Sequence, residues 1–90
     1  MKIDLDDIKS YAAKSRPEIL RDIARIVSVP SVEGKPEPDA PFGREPKKAL
    51  DLALSVAEEL GLSTRNFENK IGCAELFGES EKYIATITHV

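Results

Sequence analysis

The segment that most constrains the fold is the last one, residues 83–90, which combines β-branched and aromatic residues with the single histidine of the chain, His89. Such a run predicts a buried strand. Open α/β sheets place metals and ligands at the carboxyl ends of their strands, and imidazole is a common metal ligand. A strand that ends in His89 therefore predicts the beginning of a site. Because the sequence stops at Val90, we expect the opening segment of a larger enzyme.

The composition is that of one small globular unit. Of the 90 residues, 41% are apolar and 32% are charged, and no apolar run approaches the roughly 18 residues of a membrane-spanning helix. The net charge of −3, without a basic cluster, argues against nucleic-acid binding. The N-terminus has no signal-peptide core, and Cys73 is the only cysteine. We therefore expect a cytoplasmic protein that binds neither nucleic acid nor membrane.

Helical spacing predicts two helical regions before the strands. In residues 4–28 apolar side chains recur every three or four positions, with Asp4 as a cap and a second capping pattern at residues 15–18. This region is predicted to be one bent helix or two abutting ones. Residues 46–60 carry the clearest apolar face and are followed by Gly61, a favoured capping residue.

The connection between the helices, residues 30–46, holds every proline of the chain except Pro17. Loops of this length within compact domains are either functional or disordered. Composition does not decide between a functional loop and a mobile surface linker.

After Gly61 the apolar period changes to that of strands. Residues 63–68, 71–77 and 83–89 are predicted as strands, with turns at residues 69–70 and 78–81. The expected fold class is α/β, with two or three N-terminal helices packed on a small sheet of about three strands.

Few residues could carry chemistry by themselves. His89 suits zinc, but a catalytic zinc takes about three protein ligands and the chain has no second histidine. Cys73 is most simply a small buried apolar residue. The paired acidic residues are explained as solvated faces of amphipathic helices. We predict one metal ligand, His89, and no catalytic residue within this chain.

Four stretches follow one another in the order and spacing of a known enzyme family. They are residues 26–32, which contain Val29-Pro30-Ser31, residues 40–62, residues 64–72 and residues 84–90. Together they resemble the M20 metallopeptidases and, within that family, the PepV-like dipeptidases. The last stretch is similar to the strand before the H-x-D-x-x-P metal motif of that family. The resemblance covers nearly all of the chain.

The resemblance implies that residues 1–90 begin a larger three-layer α/β catalytic domain. It implies that His89 ligates one of two zinc ions, and that the aspartate orienting it would follow Val90. The activity it implies is hydrolysis of short peptides in the cytosol, by metal-activated water and a carboxylate base. The other ligands and the base would lie downstream, so the chain alone is expected to be inactive and to hold no zinc.

Two other interpretations stay open. One is an M20-type deacylase acting on N-acyl amino acids, although residues 40–46 favour the dipeptidase branch. The other is a non-catalytic α/β interaction module, in which His89 is an ordinary strand-end residue. An aspartate after Val90, with proline three residues further on, would favour an enzyme, and a stop codon would favour the module.

The predicted strand 83–89 also predicts self-association. It contains no Lys, Glu or Pro that would block pairing, and an unprotected strand edge pairs with other chains. We therefore expect a dimer or a larger species joined through residues 83–89.

Overall fold

Two helices and one β-hairpin make up the regular structure of the computed structural model, which describes residues 4–88. Helix α1 spans Leu5–Val27, α2 Arg44–Glu59, strand β1 Ser63–Phe67 and strand β2 Ile71–Glu75. The strands pair antiparallel, from Ser63 opposite Glu75 to Phe67 opposite Ile71. The predicted class, α/β with helices packed on a small sheet, is confirmed.

Helix α1 is one continuous helix with Pro17 inside it. The carboxylate of Asp4 accepts a hydrogen bond from the Asp6 N–H at 2.9 Å, so the predicted cap at Asp4 is confirmed. The second predicted helix start, at residues 15–18, is not used. The reason is that the fixed φ of proline is itself helical, and the apolar stripe continues on both sides of Pro17.

Helix α2 ends in the way its sequence predicts. The N–H of Gly61 donates to the Glu58 carbonyl at 2.9 Å and the N–H of Leu62 to the Ala57 carbonyl at 3.0 Å. This is the Schellman arrangement, which requires a residue with positive φ, and Gly61 has φ +91°. The predicted glycine cap is confirmed, and the helix begins two residues earlier than expected, at Arg44.

The prediction of about three strands is wrong in one respect, because the described part of residues 83–89 forms no strand. Residues 83–88 have no regular structure, and Tyr83, Ile84 and Ile87 are 89%, 96% and 101% exposed. A strand forms only where a neighbour accepts and donates its hydrogen bonds, and this segment has no such neighbour within residues 4–88. For the same reason β2 ends at Glu75, short of the predicted residue 77.

The few buried side chains lie where α2 meets the hairpin and the preceding loop. Ala49 and Val56 of α2 are buried, as is Ala40 of the loop. Helix α2 packs against both strands, and α1 joins the assembly through α2. None of the described side chains of α1 is buried. No helix within residues 4–88 has the length and apolarity needed to cross a membrane.

Candidate functional site

An open groove runs between α2, β2 and the last described residues, and it is the candidate site of this chain. Its floor is the apolar face of α2 together with the small residues of β2, and Phe42 and Pro46 close one end. The side chains that line the groove from α2 and β2 are Leu50, Ala53, Leu54, Ala57, Ile71 and Ala74.

Gly72 brings β2 close to α2 on the floor of the groove. A Cβ atom at this position would lie 2.8 Å from Leu50 Cδ1 and 2.8 Å from Leu54 Cδ2. Both distances are shorter than any normal carbon contact. A side chain at residue 72 would therefore require the ends of the Leu50 and Leu54 side chains to shift.

The connection between the helices is organised rather than a mobile linker. The Gly34 N–H donates to the Phe42 carbonyl at 2.8 Å, and Glu37 and Ala40 exchange two backbone hydrogen bonds of 3.0 Å. Gly43, at φ +103°, lies so close to Gly34 that a Cβ there would be 2.7 Å from the Gly34 nitrogen. These hydrogen bonds argue against the mobile linker, and a functional role for the loop stays a prediction.

Asn69, in the hairpin turn, connects this turn to the loop through a hydrogen bond. Its side-chain amide donates to the Asp39 carbonyl at 2.8 Å, and its backbone N–H donates to the Asn66 side-chain oxygen at 2.9 Å. Glu68 and Asn69 both have φ +58°, a left-handed conformation that asparagine tolerates better than most residues. The turn predicted at residues 69–70 is therefore confirmed and has an added role, since it holds one wall of the groove.

The polar residues of the groove come from three separate parts of the chain. They are Ser31, Glu33, Asn69, Lys70, Thr86 and Thr88. The sequence predicted none of these six residues as site residues, and only Ser31, beside Pro30, and Lys70, at the predicted turn, had positions that could have indicated them. Such positions expose polar side chains without any ligand, so the sequence signal is weak.

The predicted metal ligand, His89, lies outside the described residues. Its neighbour Thr88 lines the groove, so the chain passes along the groove immediately before the histidine. Within residues 4–88 no group of three or more His, Cys, Asp or Glu side chains is placed to hold a metal ion. Cys73 is half-buried in β2, with its sulfur 4.0 Å from a Glu75 carboxylate oxygen.

Two arginine–carboxylate pairs dominate the electrostatics of the described chain, and both lie at the surface. Arg25 of α1 donates two hydrogen bonds to Glu59 of α2, at 2.9 and 3.0 Å, and one to Asp22 at 3.2 Å. The hydrogen bonds from Arg25 lower the pKa of Glu59, and those to Glu59 raise the pKa of Arg25. Arg65 pairs with Glu75 across the hairpin, and this hydrogen bond raises the pKa of Arg65. Neither pair faces the groove, so both are structural.

The amino-acid sequence of this chain is similar to those of proteins named as dipeptidases. The chain is 29% identical over 86 residues to the Beta-Ala-Xaa dipeptidase of Lactobacillus delbrueckii subsp. lactis, which covers 93% of this chain. It is 27% identical over 84 residues to a putative dipeptidase of Staphylococcus aureus (strain USA300), which covers 91% of this chain. No family model and no solved structure matches.

The chain spans 18% of the length of these curated relatives. Nearly all of its own length is therefore similar to one part of proteins named as dipeptidases. The described residues supply a groove lined by both polar and apolar side chains.

Proposed function

We propose that this chain forms the first part of the catalytic domain of a metal-dependent dipeptidase of the M20 type, in the PepV-like branch. The observation that carries the proposal is the similarity to the Lactobacillus dipeptidase over 93% of the chain. A mixed α/β arrangement with unburied apolar faces supports it, since such faces suit a segment that packs within a larger domain.

In this proposal His89 is one ligand of a zinc ion in the larger protein. Within residues 4–88 no three side chains of the types that bind zinc are placed together, so the described part of the chain does not fit the metal by itself. The remaining ligands would come from other parts of the larger protein. The contribution of this chain is to supply His89, which directly follows Thr86 to Thr88 beside the groove between α2 and β2.

The proposed substrates are short peptides, and the name of the Lactobacillus relative makes a β-alanyl dipeptide the first one to test. A deacylase of N-acyl amino acids is the rival within the same family. A cytoplasmic location is part of the proposal, and a single cysteine agrees with a reducing compartment.

The proposal is tested by exchanging the matched segment. Residues 1–90 of this chain replace the aligned segment of the Lactobacillus dipeptidase, and hydrolysis of a β-alanyl dipeptide is measured with and without zinc. We expect a folded chimera with zinc-dependent activity, and we expect His89→Ala in the chimera to abolish it. Cys73→Ser is the matched control, because Cys73 lies in β2 and is expected to leave the activity unchanged.

Thermal unfolding of each chimera separates loss of folding from loss of chemistry. A chimera that folds as the parent enzyme does, yet has no activity, would contradict the proposal. Full activity in the His89→Ala chimera would contradict the role of His89. The codons that follow Val90 in the gene provide an independent test of the proposal. We expect an aspartate codon directly after Val90 and a proline codon three positions after that aspartate.

A further inference from the structure

Within the connection between the helices, residues 34–43 form a loop that closes on itself, here named the strap. The Gly34 N–H donates to the Phe42 carbonyl at 2.8 Å, and two further backbone hydrogen bonds of 3.0 Å cross the middle of the strap. At its base the two ends touch, because a Cβ on Gly43 would lie 2.7 Å from the Gly34 nitrogen. The strap is therefore a ring with its own hydrogen bonds and a neck of two glycines.

The strap is stiff inside and pliable at its neck. It contains Pro36, Pro38 and Pro41, and each proline ring fixes the φ angle of its residue. Gly34 and Gly43 have no side chain and accept a far wider range of backbone angles. A change in the direction of the strap is therefore easiest at the neck, with the ring itself kept intact.

One hydrogen bond joins the strap to the hairpin. The Asn69 side-chain nitrogen donates to the Asp39 carbonyl at 2.8 Å. Among the hydrogen bonds of residues 4–88, it is the one that connects residues 35–42 to anything beyond the strap and the adjoining start of α2. The one buried side chain of the strap is Ala40, which is 5% exposed. Closure of the strap on the hairpin therefore depends on Asn69 and on the packing of Ala40.

The hairpin turn orients the amide group of Asn69 toward the strap. The Asn66 side-chain nitrogen donates to the Asn69 side-chain oxygen at 2.8 Å, and the Asn69 backbone N–H donates to the Asn66 side-chain oxygen at 2.9 Å. Because Asn66 engages the oxygen of the Asn69 amide, the nitrogen of that amide is left to reach Asp39.

The backbone of the turn shows that residue 69 is not chosen for the turn alone. Glu68 and Asn69 both have φ +58°, and the Lys70 N–H donates to the Phe67 carbonyl at 3.0 Å, as in a type I′ turn. Glycine is the favoured second central residue of such turns. Glycine at residue 69 would relax the backbone but would have no amide group to donate to Asp39. The hydrogen bond to the strap therefore explains the asparagine.

We propose that Asn69 is a latch that closes the strap on the hairpin, and that the strap opens as one piece about its glycine neck when this hydrogen bond breaks. Phe42 belongs to the strap, so opening would also move the side chain that closes one end of the groove. The inference depends neither on the dipeptidase assignment nor on what covers the exposed faces of the chain, because it uses only contacts made within residues 34–70.

The latch is tested by measuring the distance between two spin labels in the 90-residue chain. Labels on Asp39→Cys and Ser63→Cys, in a Cys73→Ser background, report the separation of the strap from β1. We expect one narrow distance, and a broader distribution that extends to longer distances when Asn69→Gly is added. Glu68→Gly is the matched control, since it also places glycine at a φ of +58° but leaves the Asn69 amide in position. We expect this control to keep the narrow distance.

Amide hydrogen exchange of Gly34 and Ala40 tests whether the strap moves as one piece. Both N–H groups donate within the strap, so we expect their exchange rates in Asn69→Gly to stay within about twofold of those in the original chain. Much faster exchange of both would mean that the strap unfolds instead of opening, and would overturn the proposal. So would an unchanged distance distribution in Asn69→Gly, or a broad one in the labelled chain that keeps Asn69.

Discussion

Gly72 is the residue on which the contact between helix and hairpin depends most directly. A strand interior normally disfavours glycine, since valine or isoleucine would pack better on a pleated surface. Here the space that a side chain would need is already filled by Leu50 and Leu54, each 2.8 Å from the Cβ position. Close packing outweighs strand propensity at this position.

Gly72→Val is therefore expected to destabilise the chain by about 1–3 kcal/mol, in spite of the higher strand propensity of valine. The measurement is the free energy of unfolding in urea. Gly78→Val is the matched control, because a Cβ at Gly78 meets nothing within 4 Å, and a change of less than about 0.5 kcal/mol is expected there. A Gly72→Val chain as stable as the original would show that the leucines move aside without cost.

Among the elements, the two helices are joined mainly by the pairing of Arg25 with Glu59. The bidentate geometry fixes the orientation of α1 on α2, although both side chains remain in contact with solvent. Because the pKa of Glu59 is lowered in the folded chain, the pair stabilises folding above the unfolded-state pKa of a glutamate, about 4.3. That stabilisation is lost as the pH falls through the lowered folded-state pKa.

Glu59→Gln is expected to lower the urea midpoint at pH 7 and to bring the variant closer to the original chain at acid pH, below the lowered folded-state pKa of Glu59, where this carboxyl is protonated in both states. Glu81→Gln removes the same charge from the segment after the hairpin and is expected to leave both midpoints nearly unchanged. An equal deficit of Glu59→Gln at both pH values would mean that the loss comes from packing and not from the ion pair.

The sequence predicts correctly those elements that depend on residues close to one another along the chain. The apolar face of α2 and the cap at Gly61 depend on residues within a few positions of each other, and both are found as predicted. Pro17 left one helix or two helices open in the prediction, because proline is compatible with both a helix start and a helix interior, and the structure has one helix. The groove and the role of Gly72 arise from contacts between distant segments, which no local pattern contains.

At the scale of the whole molecule, the apolar residues far exceed what this chain can bury. The radius of gyration is 15.7 Å, whereas a compact domain of this length has about 12 Å. Only Ala40, Ala49 and Val56 are buried apolar residues among those described, while α1 and residues 83–88 expose large ones. Apolar composition at residues 83–88 predicts burial correctly only when a covering partner is present, and the sequence does not identify that partner. This is why a predicted strand is found there as an exposed segment.

The exposed faces and the single histidine lead to one prediction for the chain on its own. A catalytic zinc takes about three protein ligands, and His89 is the one imidazole available. We expect calorimetric titration to find no tight zinc binding by the 90-residue chain, and no difference between it and His89→Ala. We also expect no hydrolysis of a β-alanyl dipeptide with or without zinc. Zinc-dependent hydrolysis by the chain above the level of His89→Ala would contradict this prediction and would show that the site needs no further protein.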